Sequence, residues 1–246
     1  MPSWATLLLT LLAASLSATQ AAPTRRDSQL SLAETIKALR DAPMAINRAN
    51  ILDYPGGYQF DFLNAKNSGL GKDGPFILAD NGNFHAVIGN GMSMFMAFIG
   101  PCGMVPSHTH PRATELELIV AGGPMLTGIM TEAGGPYTVG YGNVTFFPLG
   151  SIHFQQNLGC DPAVLVAILN SENPGFSVIS NTYFGLGNET VAASLGQAEE
   201  TIPMAINLGQ ESCLQRCGID RDTYDISAWS KLDFIRAAYK TVVDQH

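Results

Sequence analysis

From Tyr58 onward, short apolar or alternating runs are separated by glycine, proline and asparagine, with turn signals about every ten residues. Short strands at this spacing predict an all-β sandwich or barrel of antiparallel strands rather than alternating strand–helix units. The run Ala163–Leu169 is apolar on both faces, which predicts a strand that is covered on both sides. The other runs are Phe76–Leu78, Met92–Ile99, Leu116–Val120 and Val144–Phe147.

Helical patterns flank this β-rich region on both sides. Residues 28–50 place Leu32, Ile36 and Leu39 on one face of a helix. After Gly218, apolar positions with spacings of three and four predict an amphipathic C-terminal helix. These positions are Ile226, Trp229, Leu232, Ile235, Tyr239 and Val242. An apolar stripe needs a partner surface, which is either the β-domain of the same chain or a second subunit.

The N-terminus has the pattern of a secretory signal. The apolar run Leu7–Leu16 is too short to span a bilayer, and small residues after it offer a cleavage site behind Ala21, although no Lys or Arg precedes the run. The pair Arg25-Arg26 is either a processing site or a charged linker. We therefore expect a secreted protein of the extracellular space or cell wall. Its predicted segments are a signal peptide at 1–21, an N-terminal extension at 22–54, one β-domain at 55–195 and a C-terminal extension at 196–246.

The composition limits the partners of the protein. Charged residues make up 14% of the chain, against about 25% in an average globular protein, and apolar residues make up 46%. The net charge is −8 and no basic run is longer than two residues, which argues against nucleic-acid binding. We expect a small-molecule substrate and no membrane contact after signal cleavage. An anionic surface favours an anionic substrate only where a metal supplies the attraction locally.

The four cysteines suit an oxidising compartment and allow three pairings. Cys102 precedes His108 by six residues and Cys160 follows His153 by seven, so antiparallel neighbouring strands would bring both cysteines to one end of a sheet. This register predicts a Cys102–Cys160 disulfide and a local Cys213–Cys217 disulfide. Two glycosylation sequons begin at Asn143 and Asn188. The second lies in a polar loop and is the expected acceptor, whereas the first lies at a strand entrance with poorer access.

Two spaced motifs carry the candidate chemistry. His108 and His110 are two residues apart, so a strand presents both imidazoles on one face. The carboxylate of Glu115 can reach the same point from the next strand, and His153 contributes a third imidazole from a distant segment. Three neutral nitrogens and one carboxylate suit a divalent first-row metal. A closed zinc site would more often carry thiolates, so mixed donors with open positions favour Mn(II) or Fe(II).

The chain resembles the germin and germin-like proteins of the cupin family, and in particular the spherulin branch of fungi and slime moulds. The resemblance covers about Phe60 to Gly218. It rests on Pro101–Gly103, His108–Glu115, Phe147–His153, Ser171–Gly175 and Cys213–Cys217. One departure is that four residues, rather than five, separate Gly103 from His108. The resemblance implies a single jelly-roll cupin barrel, metal ligands at His108, His110, Glu115 and His153, and manganese as the metal, with Fe(II) or Zn(II) as alternatives. It also implies a homo-oligomer that associates through a barrel edge and the C-terminal helix.

Two further residues are candidates for catalysis. Glu117 shares a face with Glu115 if the strand is regular, and a buried carboxyl near the metal would serve as an acid or base. The alternative is a bulge that turns Glu117 outward. Asn157 either hydrogen-bonds a metal-bound ligand or pins the strand and turn around it. Ser171-Glu172-Asn173 is similar to the lid of bacterial oxalate decarboxylases, but the Pro174-Gly175 that follows is more typical of a barrel-exit turn.

Three classes of function remain open at this stage. The first is a metal-dependent oxidoreductase acting on a small carboxylic acid such as oxalate, or on superoxide. The second is a cupin oxygenase that modifies a pathway metabolite. The third is a structural or storage protein of a spore, cyst or cell wall that keeps the metal as part of its fold.

Overall fold

The computed structural model describes residues 30–71, 74–130, 132, 137–196, 210–226 and 229–245. The predicted signal peptide at 1–21 and the Arg25-Arg26 pair lie outside these residues. In the described part of the chain, no helix combines the length and apolar character that crossing a bilayer requires.

The described strands form two antiparallel sheets. One sheet has the order β1-β2-β3-β10-β5-β8 and the other has the order β11-β4-β9-β6-β7. From β3 onward, most connections cross from one sheet to the other, which is the arrangement of a jelly roll and confirms the predicted fold. The strands are β1 (Gly69–Gly71), β2 (Gly74–Ala79), β3 (Ser93–Ile99), β4 (Met104–Thr109), β5 (Glu115–Ala121), β6 (Met125–Met130), β7 (Tyr137–Val139), β8 (Val144–Phe147), β9 (Ile152–Asn157), β10 (Ala163–Leu169) and β11 (Ser177–Val178).

The two sheets face each other across an apolar core. In β5 every second residue is buried, beginning with Glu115, so the inner face of this strand is set by its alternation. The odd-numbered residues of β10 lie in the same core. Its buried members are Phe95, Ala97, Ile99, Val105, Ala113, Ile119, Met125, Ala163, Leu165, Ala167 and Leu169.

Short helices surround the two sheets. They are α1 (Leu32–Asp41), α2 (Ala45–Ile51), α3 (Ile179–Phe184), α4 (Asn188–Leu195), α5 (Glu211–Cys217) and α6 (Lys231–Gln245). A capping box starts α1, because the Ser31 hydroxyl accepts from the backbone N–H of Glu34 and the Glu34 carboxylate accepts from that of Ser31. The helices α3 and α4 occupy the end of the segment that the sequence assigned to the barrel, so the last strand among the described residues ends at Val178.

The C-terminal helix α6 packs on the outer face of the six-stranded sheet. Phe234 and Ala238 are fully buried in a cluster with Phe98 of β3 and Val164 of β10. The predicted two-sided covering of β10 is therefore confirmed at this end of the strand. The buried face of α6 therefore packs on the barrel of the same chain, which is one of the two partner surfaces considered for this helix.

The predicted apolar stripe of α6 is only partly right. Leu232 and Tyr239, which belong to the stripe, are exposed, whereas Phe234, outside it, is fully buried. The helix is rotated from the predicted position because the ring of Phe234 packs on Phe98, with ring centroids 6.1 Å apart. Exposed apolar residues lie at both ends of α6: Trp229 precedes its first residue by two positions, and Val243 is in its last turn.

The predicted disulfides are wrong in their pairing. The structure has Cys102–Cys213 and Cys160–Cys217, with Cα–Cα distances of 5.7 and 5.3 Å. Cys102 and Cys160 do lie at the same end of the barrel, since the Cys102 N–H donates to the Gly159 carbonyl at 3.2 Å. However, Cys213 and Cys217 are four residues apart on α5, so both project from one helix face. Docking of that face against the strand end gives each barrel cysteine a helical partner.

Candidate metal centre

Four buried side chains meet inside the barrel at the end of β4. His108 lies in β4, His110 follows the last residue of that strand, Glu115 begins β5 and His153 lies in β9. His108 is paired with His153 in the antiparallel register of β4 and β9. The potential ligand atoms of all four residues lie within 4.8 Å of one another. The structure thus brings together the residues that the two sequence motifs selected.

Each histidine is oriented by a backbone carbonyl behind its ring. The Nδ1 atoms of His108, His110 and His153 lie 2.8, 2.5 and 2.9 Å from the carbonyl oxygens of Pro106, Gly175 and Ser151. A carbonyl only accepts, so each Nδ1 carries a proton, and Nε2 is the nitrogen whose lone pair is left to bind a metal. This backing is the usual support of metal-binding histidines, because it fixes both tautomer and ring direction.

The Nε2 atoms converge on the carboxylate of Glu115. Its Oε2 lies 3.0 Å from Nε2 of His110 and 3.1 Å from Nε2 of His153. Aromatic rings hold the imidazoles from the sides. Phe147 stacks on His153 with centroids 4.1 Å apart, and Phe176 stacks on His108 at 4.6 Å. Three lone pairs and one carboxylate that face a common point, with supporting carbonyls already in place, fit a divalent ion.

The electrostatics favour the protonation states that a metal needs. Burial, with additional repulsion from His153 and His110, lowers the pKa of His108 to about 3, so this ring stays neutral. Burial would raise the pKa of Glu115, but while no metal is bound, hydrogen bonds from protonated Nε2 atoms of His110 and His153 outweigh it and lower that pKa to about 2. The site therefore holds an ionised carboxylate beside a neutral imidazole across the physiological range.

Glu117 points into the barrel, which is the first of the two positions considered for it. The strand is regular between the two glutamates, and Glu117 is 1% exposed. Burial, followed by repulsion from Glu115, raises the pKa of Glu117 well above its usual value. A hydrogen bond from the amide of Gln155, which lies beside the Glu117 carboxyl, opposes this shift.

The contacts of Asn157 correspond to the pinning role rather than the predicted catalytic one. Its Nδ2 donates to the carbonyls of Gly100 and Asp161, at 2.9 and 2.7 Å, and its Oδ1 accepts from the N–H of Gly159 at 2.8 Å. These bonds tie the turn after β9 to the end of β3. Asn157 is also four residues beyond His153, roughly 13 Å along a strand, so its amide is both remote and fully engaged.

The candidate lid residue Glu172 is fixed on the outside of the barrel. Its carboxylate pairs with Arg40 of α1 at 3.3 Å and accepts from the N–H of Gly89. Arg112 binds the carbonyl and the side-chain oxygen of Asn173, both at 2.7 Å. These contacts make the segment a fixed part of the barrel rather than a movable lid. The same loop also supplies the Gly175 carbonyl that orients His110.

Sequence reasoning missed Gln155 and the supporting rings of Phe147 and Phe176. Gln155 follows His153 by two residues on β9 and is 1% exposed, so the alternation of this strand was a usable signal for it. Phe147 was visible as part of a motif, but its stacking depends on the pairing of Glu115 with Phe147 across β5 and β8. Phe176 had no local signal, since the loop that carries it is placed by Arg112.

A histidine-rich centre at one end of a jelly-roll barrel is the arrangement of the cupins. The family model described as "Cupin" matches residues 60–202. Spherulin-1B of Physarum polycephalum is 35% identical over 87% of this chain and 90% of its own length, and Spherulin-1A of the same organism is 34% identical over 75% and 79%. The chain belongs to the cupin family, within its germin-like and spherulin group.

Shorter matches and solved structures agree with this assignment. Germin-like protein 4-1 of Oryza sativa subsp. japonica is 46% identical over 39% of this chain and 40% of its own length. An oxalate oxidase in complex with the substrate analogue glycolate superposes with a TM-score of 0.54 at 26% identity, over 58% of this chain and 75% of that one. An oxalate decarboxylase from Lactobacillus farciminis, at 21% identity and a TM-score of 0.53 over 58% of this chain and 41% of that one, shares the fold.

Proposed function

We propose that the protein is a secreted germin-like cupin that binds a divalent metal and acts as an oxidoreductase on a small oxygen-rich anion, with oxalate and superoxide as the leading substrates. One observation carries the proposal. Three imidazole rings, each with its Nδ1 against a backbone carbonyl, direct their Nε2 atoms to the same place as the Glu115 carboxylate. The metal is Mn(II), with Fe(II) or Zn(II) as alternatives. All four cysteines are in disulfides, so thiolates are absent from the donor set.

A divalent ion at this point would supply Lewis acidity and an electron relay to a small anion. The protein residues have separate tasks. His108, His110, Glu115 and His153 hold the ion, while Phe147 and Phe176 keep the rings in place and exclude water from them. Glu117 lies two residues after Glu115 on the inner face of β5, and it holds or accepts a proton beside the reacting group. Asn157 keeps the far end of the barrel in register.

Secretion is supported by the covalent structure. The two disulfides are typical of an oxidising compartment. Both sequon asparagines, Asn143 and Asn188, are exposed, so the limited access expected for Asn143 is not observed. Each is therefore proposed as a glycosylation site of the folded protein.

Self-association is supported by an exposed apolar surface on the outer face of the six-stranded sheet, beyond the area that α6 covers. Leu116 lies opposite Phe146 on β8 and Ile168 on β10, and all three are exposed. Leu118 and Val144 form a neighbouring exposed pair. The surface reaches the edge strand β8, where a second copy could continue the sheet and cover the apolar side chains.

The alternative function is that of a structural or storage protein. The similarity to the spherulins, which extends over most of both chains, supports this alternative. Both roles require the metal, so metal content alone does not separate them. Metal analysis of the purified protein, followed by incubation with oxalate and oxygen, tests the proposal. Peroxide indicates an oxidase and formate indicates a decarboxylase. A fully metallated protein with neither activity and no dismutase activity would favour the structural role.

The control for this assay is a protein without its metal. His153→Ala removes one donor from the shell and should strip most of the bound ion. His85→Ala changes a histidine outside the site and should leave metal content unchanged. Dismutase activity alone would be weak support, because a bound redox-active ion can dismute superoxide without a dedicated site.

A further inference from the structure

The two disulfides of the protein pack against each other. Sγ of Cys217, which belongs to the bridge with Cys160, lies 3.6 Å from Sγ of Cys102, which belongs to the bridge with Cys213. The Sγ atoms of Cys102, Cys213 and Cys217 all lie within 4.8 Å of one another. Because thiol–disulfide exchange is the attack of a thiolate on a disulfide sulfur, a third sulfur in contact with a bridge is a potential nucleophile towards it.

The two bridges differ in their access to solvent. Cys102 and Cys213 are each 1% exposed, whereas Cys160 is exposed and Cys217 is half-buried. Access is one of the factors that decide which disulfide a thiol in solution attacks. An external reductant should therefore open the Cys160–Cys217 bridge first, because the Cys102–Cys213 bridge is enclosed between α5 and the end of the barrel.

The surroundings of Cys213 suit a free sulfur. Nη2 of Arg216 lies 3.4 Å from Sγ of Cys213, so the guanidinium can stabilise the negative charge that develops when this sulfur leaves a disulfide. The carbonyl oxygen of Leu158 lies 3.4 Å from the same sulfur, where it can accept a hydrogen bond from the thiol. Arg216 also donates to that carbonyl, which holds the guanidinium in place.

We propose that reduction of the Cys160–Cys217 bridge starts an internal exchange, in which Cys217 displaces Cys213 from Cys102 with the help of Arg216. The exchange leaves Cys160 as a free thiol at the surface. This inference is independent of the proposed function, because it requires neither the metal nor a substrate.

The chemistry balances in two steps. An external dithiol gives two electrons to the outer bridge, becomes a cyclic disulfide and leaves the thiols of Cys160 and Cys217. Cys217 then loses its proton to solvent, and its thiolate forms a bond to Sγ of Cys102. The bond between Cys102 and Cys213 breaks, and its electron pair leaves on Cys213 beside Arg216.

The attacking sulfur must turn before it reacts. In the closed form, Sγ of Cys217 lies beside the Cys102–Cys213 bond rather than in line with it, since it is close to both sulfurs of that bond. The covalent bond to Cys160 holds it there. Opening that bond frees rotation about χ1 of Cys217, which brings the sulfur into line with the bond that it breaks.

The exchange changes the reactive sulfur without detaching α5. Cys102 is linked to α5 through Cys213 before the exchange and through Cys217 after it. Cys160 loses the partner with which it would close again, so it remains a free thiol. Cys102 precedes the metal ligand His108 by six residues, roughly 20 Å along an extended chain, so the metal centre is remote from these events.

A variant without Cys160 isolates the exchange step, because Cys160→Ser leaves Cys217 unpaired with no reductant present. The protein is quenched in acid, labelled with N-ethylmaleimide in denaturant and digested with chymotrypsin, which cuts after Leu214 and so separates Cys213 from Cys217. Mass spectrometry should find a peptide that links Cys102 to Cys217, and label on Cys213. Recovery of only the Cys102–Cys213 bridge, with all label on Cys217, would overturn the inference.

The same mapping is applied to the wild type after a limiting amount of dithiothreitol. Label should appear on Cys160 and Cys213 while intrinsic fluorescence stays that of the folded protein. Label on Cys160 and Cys217 would show that no exchange follows reduction. Label on Cys102 and Cys213 would show that the inner bridge is reduced directly. Either pattern, or unfolding in step with labelling, would overturn the inference.

The role of Arg216 is tested by the rate at which label appears on Cys213. Arg216→Leu should slow it by about 3–10-fold, the worth of one net hydrogen bond. Arg221→Leu is the matched control, because Arg221 pairs with Glu211 at 2.9 Å and also removes one cation from this region. It should exchange at the rate of the wild type. Equal rates in the two variants would contradict the assistance assigned to Arg216.

Discussion

His108 lies directly opposite His153 in the pairing of β4 and β9, and their ring centroids are 4.3 Å apart. Burial first, and then repulsion from the facing ring of His153, lower the pKa of His108 and oppose its protonation. The pairing therefore makes the centre sensitive to acid. It also explains why two histidines that are 45 positions apart in the sequence belong to one site.

The first prediction concerns pH. The folded-state pKa of His108 is lowered from 6.5 to about 3, so between these values the unfolded chain binds a proton that the folded chain excludes. The unfolding free energy of the metal-free protein should therefore fall as the pH is lowered from about 6.5 towards 3. The ionised Glu115 contributes stability above its ordinary pKa of 4.5, which is lost as the pH falls towards its folded pKa of about 2.

Urea denaturation at a series of pH values measures this slope. His108→Gln should flatten it between pH 6.5 and 4.5, because the titrating ring is gone. His85→Gln, outside the site, should leave the slope as in the wild type. A slope that persists in full without His108 would assign the acid sensitivity to another group.

The second prediction concerns Glu117. Glu117→Gln keeps the shape and removes the ionisable group, so metal content should persist while turnover falls by about 10²–10⁴ if the carboxyl acts as an acid or base. The same change should raise the unfolding free energy at neutral pH, because a carboxyl whose folded pKa is raised opposes folding once the solution pH exceeds 4.5. Glu172→Gln is the control: Glu172 contacts Arg40 outside the barrel, so turnover should stay near that of the wild type. A larger loss in the Glu172 variant would restore the lid interpretation.

The third prediction concerns Gly175, whose carbonyl orients His110. This residue has a φ of +74°, and a Cβ on it would lie 3.0 Å from Cδ of Pro111 and 3.1 Å from Nη2 of Arg112. Gly175→Ala should displace the loop, weaken the His110 hydrogen bond and lower metal affinity by about 10–100-fold, as measured by chelator competition.

Gly187→Ala is the matched control for Gly175→Ala. Gly187 also has a positive φ, at +92°, but a Cβ there would meet no atom within 4 Å. It should therefore share the backbone cost without affecting the metal. Equal losses of affinity in both variants would show that destabilisation of the fold, rather than the orientation of His110, is responsible.

The fourth prediction concerns the disulfides. Peptide mapping without reduction should recover Cys102 linked to Cys213 and Cys160 linked to Cys217. Replacing both Cys102 and Cys213 with alanine should lower the unfolding free energy by about 2–5 kcal/mol, the usual cost of losing a native disulfide. Recovery of a Cys102–Cys160 peptide would contradict the docking of α5.

The fifth prediction concerns the apolar surface around Phe146. If a second copy covers it, light scattering should show an oligomer, and Phe146→Lys should shift the protein to the monomer because it places a charge in the buried contact. Leu186→Lys, at an equally exposed apolar residue outside this surface, should leave the oligomer intact. A wild-type monomer at micromolar concentration would exclude the proposed contact.

The fold and the metal ligands were predictable because their signals are local. Alternation along β5 and β9 decides which side chains face inward, and the spacing of His108, His110 and Glu115 is a property of one short segment, from the end of β4 to the start of β5. The disulfides and the buried face of α6 were not, since both depend on how helices far away in the sequence dock on the barrel. The role of Asn157 was open for a related reason: one of its partners, Gly100, lies 57 positions away in the sequence, at the end of β3.

The two disulfides interleave along the chain, in the order Cys102, Cys160, Cys213, Cys217. Any single backbone cut between Cys102 and Cys217 therefore leaves both fragments joined by at least one bridge. With the two local pairs expected from the sequence, one cut between Cys160 and Cys213 would have released the C-terminal part. The interleaved bridges thus keep the metal-binding strands and the C-terminal helix covalently joined after a protease has nicked the chain once between Cys102 and Cys217.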